Sequence, residues 1–332
     1  MRRSRFGTIA ASMAGLLFCT GTATPALAGP STPDRPGTSW GAPLRIMPLG
    51  DSITVGVGSP GRSGYRIDLQ RRLREAGVTT DFVGSQSDGD GGDLDHEGRG
   101  GWTVDQIAAQ VDHRLAESEP DVVLLHAGTN NITRSEDPAA VAGKLSALID
   151  RVRTRVPDAQ VYVATIIGTA VGSEVAANRA YNALIPGLVR AKGPQVHLVD
   201  QSTVTGLDIY DRHHPNAFGY RKMAHNWYEA MRATLHPEWP GTGNPYRARQ
   251  AHLCHAKSPT SRECRMWQVR RVIVSQSDGR TVTAERWQTR RTVKESVRVW
   301  EPGHFARHRK GRTWVPGRHV TKNRQVTRWS NV

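Results

Sequence analysis

Four short strings of the chain carry residue types that together suit the hydrolysis of an ester. Gly50-Asp51-Ser52-Ile53-Thr54 holds a serine hydroxyl, and Gly98-Arg99-Gly100-Gly101-Trp102 holds a backbone N–H with no side chain in front of it at Gly101. Gly128-Thr129-Asn130-Asn131 holds a side-chain amide, and Asp211-Arg212-His213-His214-Pro215 holds an imidazole with a carboxylate three residues earlier. Acyl transfer needs a nucleophile, a base, a group that orients the base, and donors for the oxyanion. Ser52 suits the first role, His214 the second and Asp211 the third, fixing the imidazole tautomer. The Gly101 N–H, the Asn130 side chain and the Ser52 N–H suit the donors, and losing one such donor costs about 2.7–4 kcal/mol of transition-state stabilisation. Any one of these strings alone is an ordinary turn or helix cap. Their weight comes from occurring together, each after a strand.

Those strands are read from short apolar runs at 45–49, 80–84, 121–126, 160–167 and 195–199. Between them lie helical segments. Residues 65–76 place Leu69 and Leu73 four apart and stop at Gly77. Residues 104–117 follow a Thr103…Gln106 capping box and line up Ile107, Val111 and Leu115. Residues 138–154 open on Asp137 and Pro138, and helices near 174–191 and 216–234 complete the alternation. Five strands separated by helices predict a three-layer α/β/α domain over 44–238. In such a sheet ligands gather outside the carboxyl ends of the strands, where all four strings fall.

The set Ser52, Gly101, Asn130 and His214 resembles the SGNH family of GDSL-type serine hydrolases over about residues 44–235. The resemblance implies a flavodoxin-like sheet of five parallel strands and no metal or other cofactor. It also implies Ser52, Asp211 and His214 as the triad, with Ser52, Gly101 and Asn130 around the oxyanion. The strings Arg45 to Ser52, Gly64-Tyr65-Arg66, Asp81 to Ser85 and Asp95 to Thr103 look like the acetylxylan-esterase branch of secreted carbohydrate esterases, which implies short acyl esters on polysaccharide. A lipase or phospholipase acting on longer chains is the alternative within hydrolases, and a wall-binding protein with a vestigial hydrolase domain is the alternative outside them. The chain departs from the family at Asn131, where relatives usually have Asp, and at Arg99, where they often have His. His213 beside His214 is a second imidazole, and the Asp-x-x-His-Pro spacing selects His214.

The 332 residues carry a net charge of +15, but the charge is unevenly spread. Residues 241–332 hold 21 of the 45 Lys and Arg and only 5 of the 30 Asp and Glu, and the first 240 residues are nearly neutral. The composition is globular and excludes a membrane-embedded or collagen-like chain. Prolines 237, 240 and 245 mark the boundary of a basic module over 239–332. There Val, Thr and Trp alternate with Arg, a period-two pattern that predicts small antiparallel sheets. Trp300-Glu301-Pro302-Gly303 recurs as Trp314-Val315-Pro316-Gly317. Trp rings among guanidinium groups suit an acidic polymer or cell wall, while a self-contained module with a Trp core is the plainer alternative; nucleic acid is disfavoured.

Met1–Arg5, an apolar run and Ala26-Leu27-Ala28 predict a signal peptide over 1–28, followed by a Pro-rich linker over 29–43. The protein is therefore expected to be secreted, with the Arg2-Arg3 pair leaving the twin-arginine route open. Cys254 and Cys264 are then expected to form a disulfide, the sharper alternative being a metal site with His252 and His255. The Asp- and Gly-rich segment 85–101 is expected as a flexible rim loop, with a calcium site as the alternative.

Overall fold

The computed structural model of the protein describes residues 42–258, 260–277 and 280–331. The expected signal peptide and nearly all of the linker lie outside the described residues.

The α/β region runs β1 (Leu44–Gly50), α1 (Ser52–Val55), α2 (Arg66–Glu75), β2 (Thr80–Phe82), β3 (Gln86–Ser87), β4 (Asp95–Gly98) and α3 (Val104–Ser118). It continues with β5 (Val122–His126), α4 (Thr129–Thr133), α5 (Pro138–Arg155), β6 (Gln160–Ala164), α6 (Val175–Arg190), β7 (Val196–Val199) and α7 (Ala217–Thr234). β2, β1, β5, β6 and β7 are parallel neighbours. The chain goes to one side of β1 with β2 and to the other with β5, so the topological switch point lies at the end of β1.

Residues alternate faithfully between the two faces of the sheet. Met47, Leu49, Val123, Leu125, Val161 and Val163 pack with α3, α5 and α6, and Ile46, Val122, Leu124 and Tyr162 pack with α2 and α7. Each buried Val, Leu or Ile contributes about 1.5–3 kcal/mol relative to exposure, so the two apolar layers dominate stability here. Thr103 caps α3 and Asp137 caps α5, each accepting a hydrogen bond from a backbone N–H in the first turn of its helix. Packing on α2 and α7 does not stop at residue 238. Trp239 is buried and stacks on Tyr228, and Arg72 donates to the Gly243 carbonyl at 3.0 Å.

The expected flexible rim loop is corrected by the structure. Asp95–Gly98 enters the sheet beside the end of β1, and β3 pairs with it antiparallel. The intervening turn is held from below: Asp93 accepts the Phe82 N–H at 2.6 Å, and the buried Arg66 guanidinium donates to the Asp88 carbonyl. A strand reading Asp-His-Glu-Gly has no apolar alternation to announce it; ladder pairing and side-chain contacts satisfy its polar groups instead.

The remainder is antiparallel: β8 (Gln250–Ser258), β9 (Ser261–Ser277), β10 (Arg280–Glu301), β11 (His304–His308), β12 (Gly311–Val315) and β13 (Arg318–Asn331). The sheet order is β13-β10-β9-β8, with β11 and β12 as a separate hairpin. Val282–Trp287 and Val297–Trp300 therefore lie on one long strand. Cys254 and Cys264 face each other across β8 and β9 and are bonded, S–S 2.01 Å. The two copies of Trp-x-Pro-Gly interlock. A Cβ on Gly317 would lie 2.4 Å from the Trp300 ring, and one on Gly303 would lie 2.5 Å from the Trp314 ring. Each Trp thus covers the glycine of the other copy, and close approach is what requires glycine there. Leu253, Ala251 and Trp267 pack on Phe218 of α7, with Trp287 beside them.

Candidate active site

Ser52 is the first residue of α1, delivered to the carboxyl edge of the sheet by β1. The preceding Asp51 is fully buried and caps the helix, accepting the Ile53 N–H at 2.9 Å. Gly56 ends this single turn at φ +96, a left-handed conformation that favours glycine. As the first residue of a helix, Ser52 has no carbonyl one turn behind it for its own N–H.

His214 reaches the same edge on the segment before α7. Its Nε2 lies 2.9 Å from Ser52 Oγ, and its Nδ1 lies 2.9 and 3.1 Å from the two Asp211 carboxylate oxygens. Asp211 also accepts the backbone N–H groups of His213 and His214 at 2.9 and 3.0 Å. Burial acts to raise the Asp211 carboxyl, but the hydrogen bond from His214 and these two N–H donors outweigh it and hold the group well below the usual carboxylate range. The acid is therefore ionised wherever the imidazole needs a negative partner. The neighbouring imidazole is engaged elsewhere: His213 Nε2 lies 2.8 Å from Glu174, which also accepts from Thr169 at 2.9 Å.

Two ties fasten the segments that carry the expected oxyanion donors. Arg99 N–H donates to the Gly50 carbonyl at 2.9 Å, fastening the Gly98–Trp102 turn to the end of β1. The Asn130 amide donates to the Trp102 carbonyl at 2.8 Å, fastening α4 to the same turn. Asn130 keeps a second N–H on that nitrogen. Trp102 N–H closes the turn on the Arg99 carbonyl at 3.2 Å, and Gly101 sits at φ +79. No atom lies within 4 Å of where a Gly101 Cβ would stand, so backbone conformation is what favours glycine here. Arg134, at the end of α4, donates to the Gly101 carbonyl at 3.0 Å.

Both departures from the family pattern have partners. Asn131 is fully buried; its oxygen accepts Val104 N–H at 2.9 Å and its amide donates to Glu136 at 3.0 Å. Glu136 in turn accepts from Lys144 at 2.7 Å. Asn131 thus joins α4 to the start of α3, on either side of the Trp102 contact. Arg99 bonds Glu97 at 2.9 Å and Ser85 at 2.7 Å and lies over the Trp102 ring at 5.5 Å. Sequence reasoning missed Glu174, Glu136 and Arg134, which sit in helix termini and loops and meet the site only through tertiary contacts.

The basic sheet also touches the loop that carries Asp211 and His214. Ala256 N–H donates to the Tyr210 carbonyl at 2.7 Å, and His255 Nδ1 donates to the Ile209 carbonyl at 2.9 Å. Tyr210 N–H closes the loop on the His214 carbonyl at 2.7 Å. Among the described residues, no cluster of three or more His, Cys, Asp and Glu is arranged to hold a metal ion, and no helix is long and apolar enough to cross a membrane.

A parallel sheet that brings serine, imidazole and carboxylate into one contact series at its switch point is the architecture of a serine hydrolase. Residues 49–222 match the GDSL-like lipase/acylhydrolase family, and the chain belongs to it, within the SGNH class. It is similar to a family 3 carbohydrate esterase from Clostridium thermocellum, at 36% identity and TM-score 0.54, covering 60% of this chain and 100% of that one. A family 3 carbohydrate esterase from Talaromyces cellulolyticus is similar at 27% identity and TM-score 0.50, covering 56% and 95%. A multidomain esterase from Ruminococcus flavefaciens is 29% identical over 224 residues, 58% of this chain. The matched segment spans 29% of that relative's length.

Proposed function

We propose that the protein is a secreted esterase that removes short acyl groups, acetyl foremost, from polysaccharide through an acyl-enzyme on Ser52. The observation that carries this is the unbroken series Ser52 Oγ–His214–Asp211, at 2.9 Å for each closest contact. His214 takes the hydroxyl proton as Ser52 Oγ bonds to the ester carbonyl carbon. Gly101 N–H, Ser52 N–H and the second Asn130 N–H receive the oxyanion. The carbon–oxygen bond to the sugar then breaks, and the sugar oxygen leaves with the proton from His214. Water repeats the sequence in reverse: His214 takes its proton, hydroxide adds to the acyl carbon, and Ser52 regains a proton as the carboxylic acid departs. Asp211 stays ionised throughout and holds the imidazole in the tautomer that accepts at Nε2. The polysaccharide assignment draws on the carbohydrate esterases to which the chain is similar.

The test compares the protein with Ser52→Ala on acetyl, butyryl and palmitoyl esters and on acetylated xylan. Acetate release that falls by about 10⁴-fold or more in the variant is expected, a size seen for loss of a triad member. A preference for palmitoyl esters would move the assignment to lipase. Folded protein without activity on any ester would overturn it.

A further inference from the structure

The basic module sorts its charges between the two faces of its sheet. In a strand, side chains alternate between faces, and directly paired residues share one. Arg286, Arg290, Lys294 and Arg298 of β10 therefore share a face with Arg270, which stands opposite Arg286. The same face carries Gln288, Thr292 and Ser296, and across β13 it carries Thr321, Asn323, Gln325 and Thr327. No Asp or Glu among the described residues lies on it. All four described carboxylates of these strands, Glu263, Glu285, Glu295 and Glu301, lie on the other face, where Glu295 pairs with Arg328 and Glu301 with Lys322.

The two faces also differ in what covers them. Ala251, Leu253, Trp267 and Trp287 belong to the carboxylate-bearing face and pack on Phe218 of the α/β region. The acid-free face is open to solvent at Arg286, Arg290, Thr292, Lys294, Ser296 and Arg298. At one end of this row Trp329 lies beneath Arg270 at 4.0 Å and beside Arg290 at 5.1 Å, and at the other end Trp300 is exposed. Ordinary solvation of a sheet does not require such sorting; interspersed signs would solvate it as well.

We infer that this face is a binding surface for an anionic polysaccharide with carboxylate-bearing sugars. A guanidinium fork receives a carboxylate in bidentate fashion, as it does a phosphate. The hydroxyl and amide side chains between the cations match a hydroxyl-rich chain, and the exposed Trp300 at one end offers apolar ring surface to a sugar. The cations recur every four residues, about 13 Å apart at the rise of a strand. That spacing suits sparse charge and fits poorly to a duplex with one charge per ~1.7 Å. The choice of a glycan rests on the polysaccharide esterase proposed above, whereas the sorting of charge stands without it.

The test measures retention of the full chain on polygalacturonate, neutral xylan and duplex DNA at a fixed salt concentration. The triple variant Arg290→Gln, Lys294→Gln, Arg298→Gln is compared with Arg291→Gln, Arg318→Gln, Arg324→Gln, which removes the same charge from the other face. Polygalacturonate affinity is expected to fall on the order of tenfold or more in the first variant and less than threefold in the second, because three charge contacts are lost together. Hydrolysis of a small acetyl ester, unchanged in both, reports an intact α/β region. Equal losses in the two variants would overturn the face assignment. Tighter binding to DNA than to polygalacturonate, or binding to neither, would overturn the carboxylate-glycan assignment. An inactive chain that still binds polygalacturonate through this face would refute the esterase and leave the surface standing.

Discussion

The α/β region and the basic sheet solve the same problem, how to carry polar groups, in opposite ways. In the first, a pair of apolar layers encloses a parallel sheet, and several polar residues inside it have specific partners: Asp51 in Ile53 N–H, Asn131 in Val104 and Glu136, Arg66 in main-chain carbonyls. Among the described residues of the basic sheet only Ala251, Leu253 and Trp267, with Gln288 and Thr289, are buried, and the long β10–β13 ladder has water on both faces. A thick, packed body fixes individual groups to within the tolerance that acyl transfer demands. A thin sheet cannot do that, but it can present a whole row of like charge. The esterase chemistry proposed above falls in the first body and the binding surface inferred above in the second, each in the body suited to it.

The same substitution in both places sharpens this contrast most. Asn131→Asp puts a carboxylate at a fully buried position facing the Glu136 carboxylate and removes the amide donor between them, while Lys144 remains on the other Glu136 oxygen. Stability is expected to fall by about 1–3 kcal/mol, the cost of an unsatisfied buried group, and Glu136→Gln in the same chain is expected to restore much of it by supplying a donor. Asn323→Asp, on the exposed acid-free face, is expected to change stability by less than about 0.5 kcal/mol. Urea unfolding of the four proteins checks this. Equal costs at 131 and 323 would mean that the α/β region holds its polar residues no more tightly than the sheet does.

Acid provides a second contrast. His96 is buried, and that burial, with Arg66, Arg99 and Arg62 nearby, pushes its pKa down from 6.5 to about 3. Its Nδ1 accepts Gly98 N–H at 2.9 Å, which leaves the proton on Nε2 and the ring neutral. The unfolded chain takes up a proton below pH 6.5 that the folded chain refuses until about pH 3. Stability therefore rises with pH across that window and falls on acidification, by about 1.4 kcal/mol per pH unit and roughly 2 kcal/mol between pH 6.5 and 5. His96→Gln is expected to remove that share of the acid sensitivity, with exposed His319→Gln as the control. Unfolding midpoints at pH 7 and pH 5 decide it; an unchanged difference in His96→Gln would show that acid acts elsewhere.

How legible each body is in the sequence follows from the same physics. Apolar periodicity reports burial, so the long helices stand out to within a residue and the five parallel strands to within three: the pattern predicts α5 over 138–154, and it is Pro138–Arg155, while the strand expected over 160–167 is Gln160–Ala164. β4 does not stand out, because His96 and Glu97 are buried by pairing and by Arg66, Arg99 and Ser85 rather than by apolar neighbours. At the site, Ser52, His214, Asp211 and Asn130 are readable from type and from position after strands. Glu136 is not, since only the folded chain puts it against Asn131. In the basic sheet the valine alternation announces strands, but partner order and the joining of Val282–Trp287 to Val297–Trp300 in one strand come only with the structure. Face sorting of charge then becomes visible from register alone.

Besides the packing on Phe218, the two bodies meet at the loop before α7, which sets a limit on their independence. Ala256 lies on β8, the edge strand of the basic sheet, and its N–H points away from β9 to the Tyr210 carbonyl, one residue before Asp211. Proline is tolerated on a strand edge where its missing N–H is not engaged in the ladder, so Ala256→Pro should cut this tie and leave the sheet itself paired. The Ile209–His214 loop would then keep its Tyr210–His214 closure but lose its outer brace. Displacing a catalytic group by as little as 1 Å can cost 10²-fold, and a loop loosened at one end should lose about tenfold in kcat on a small acetyl ester. KM should stay within twofold, because the oxyanion turn and α4 are not touched. His255→Gln, which removes the companion bond to Ile209, should give a smaller loss in the same direction. A kcat within twofold of the parent in Ala256→Pro would make the basic sheet a passenger as far as turnover is concerned, with adhesion as its whole contribution. A tenfold loss would mean that the thin body, unable to hold a catalytic group itself, still helps fix the loop that carries Asp211 and His214.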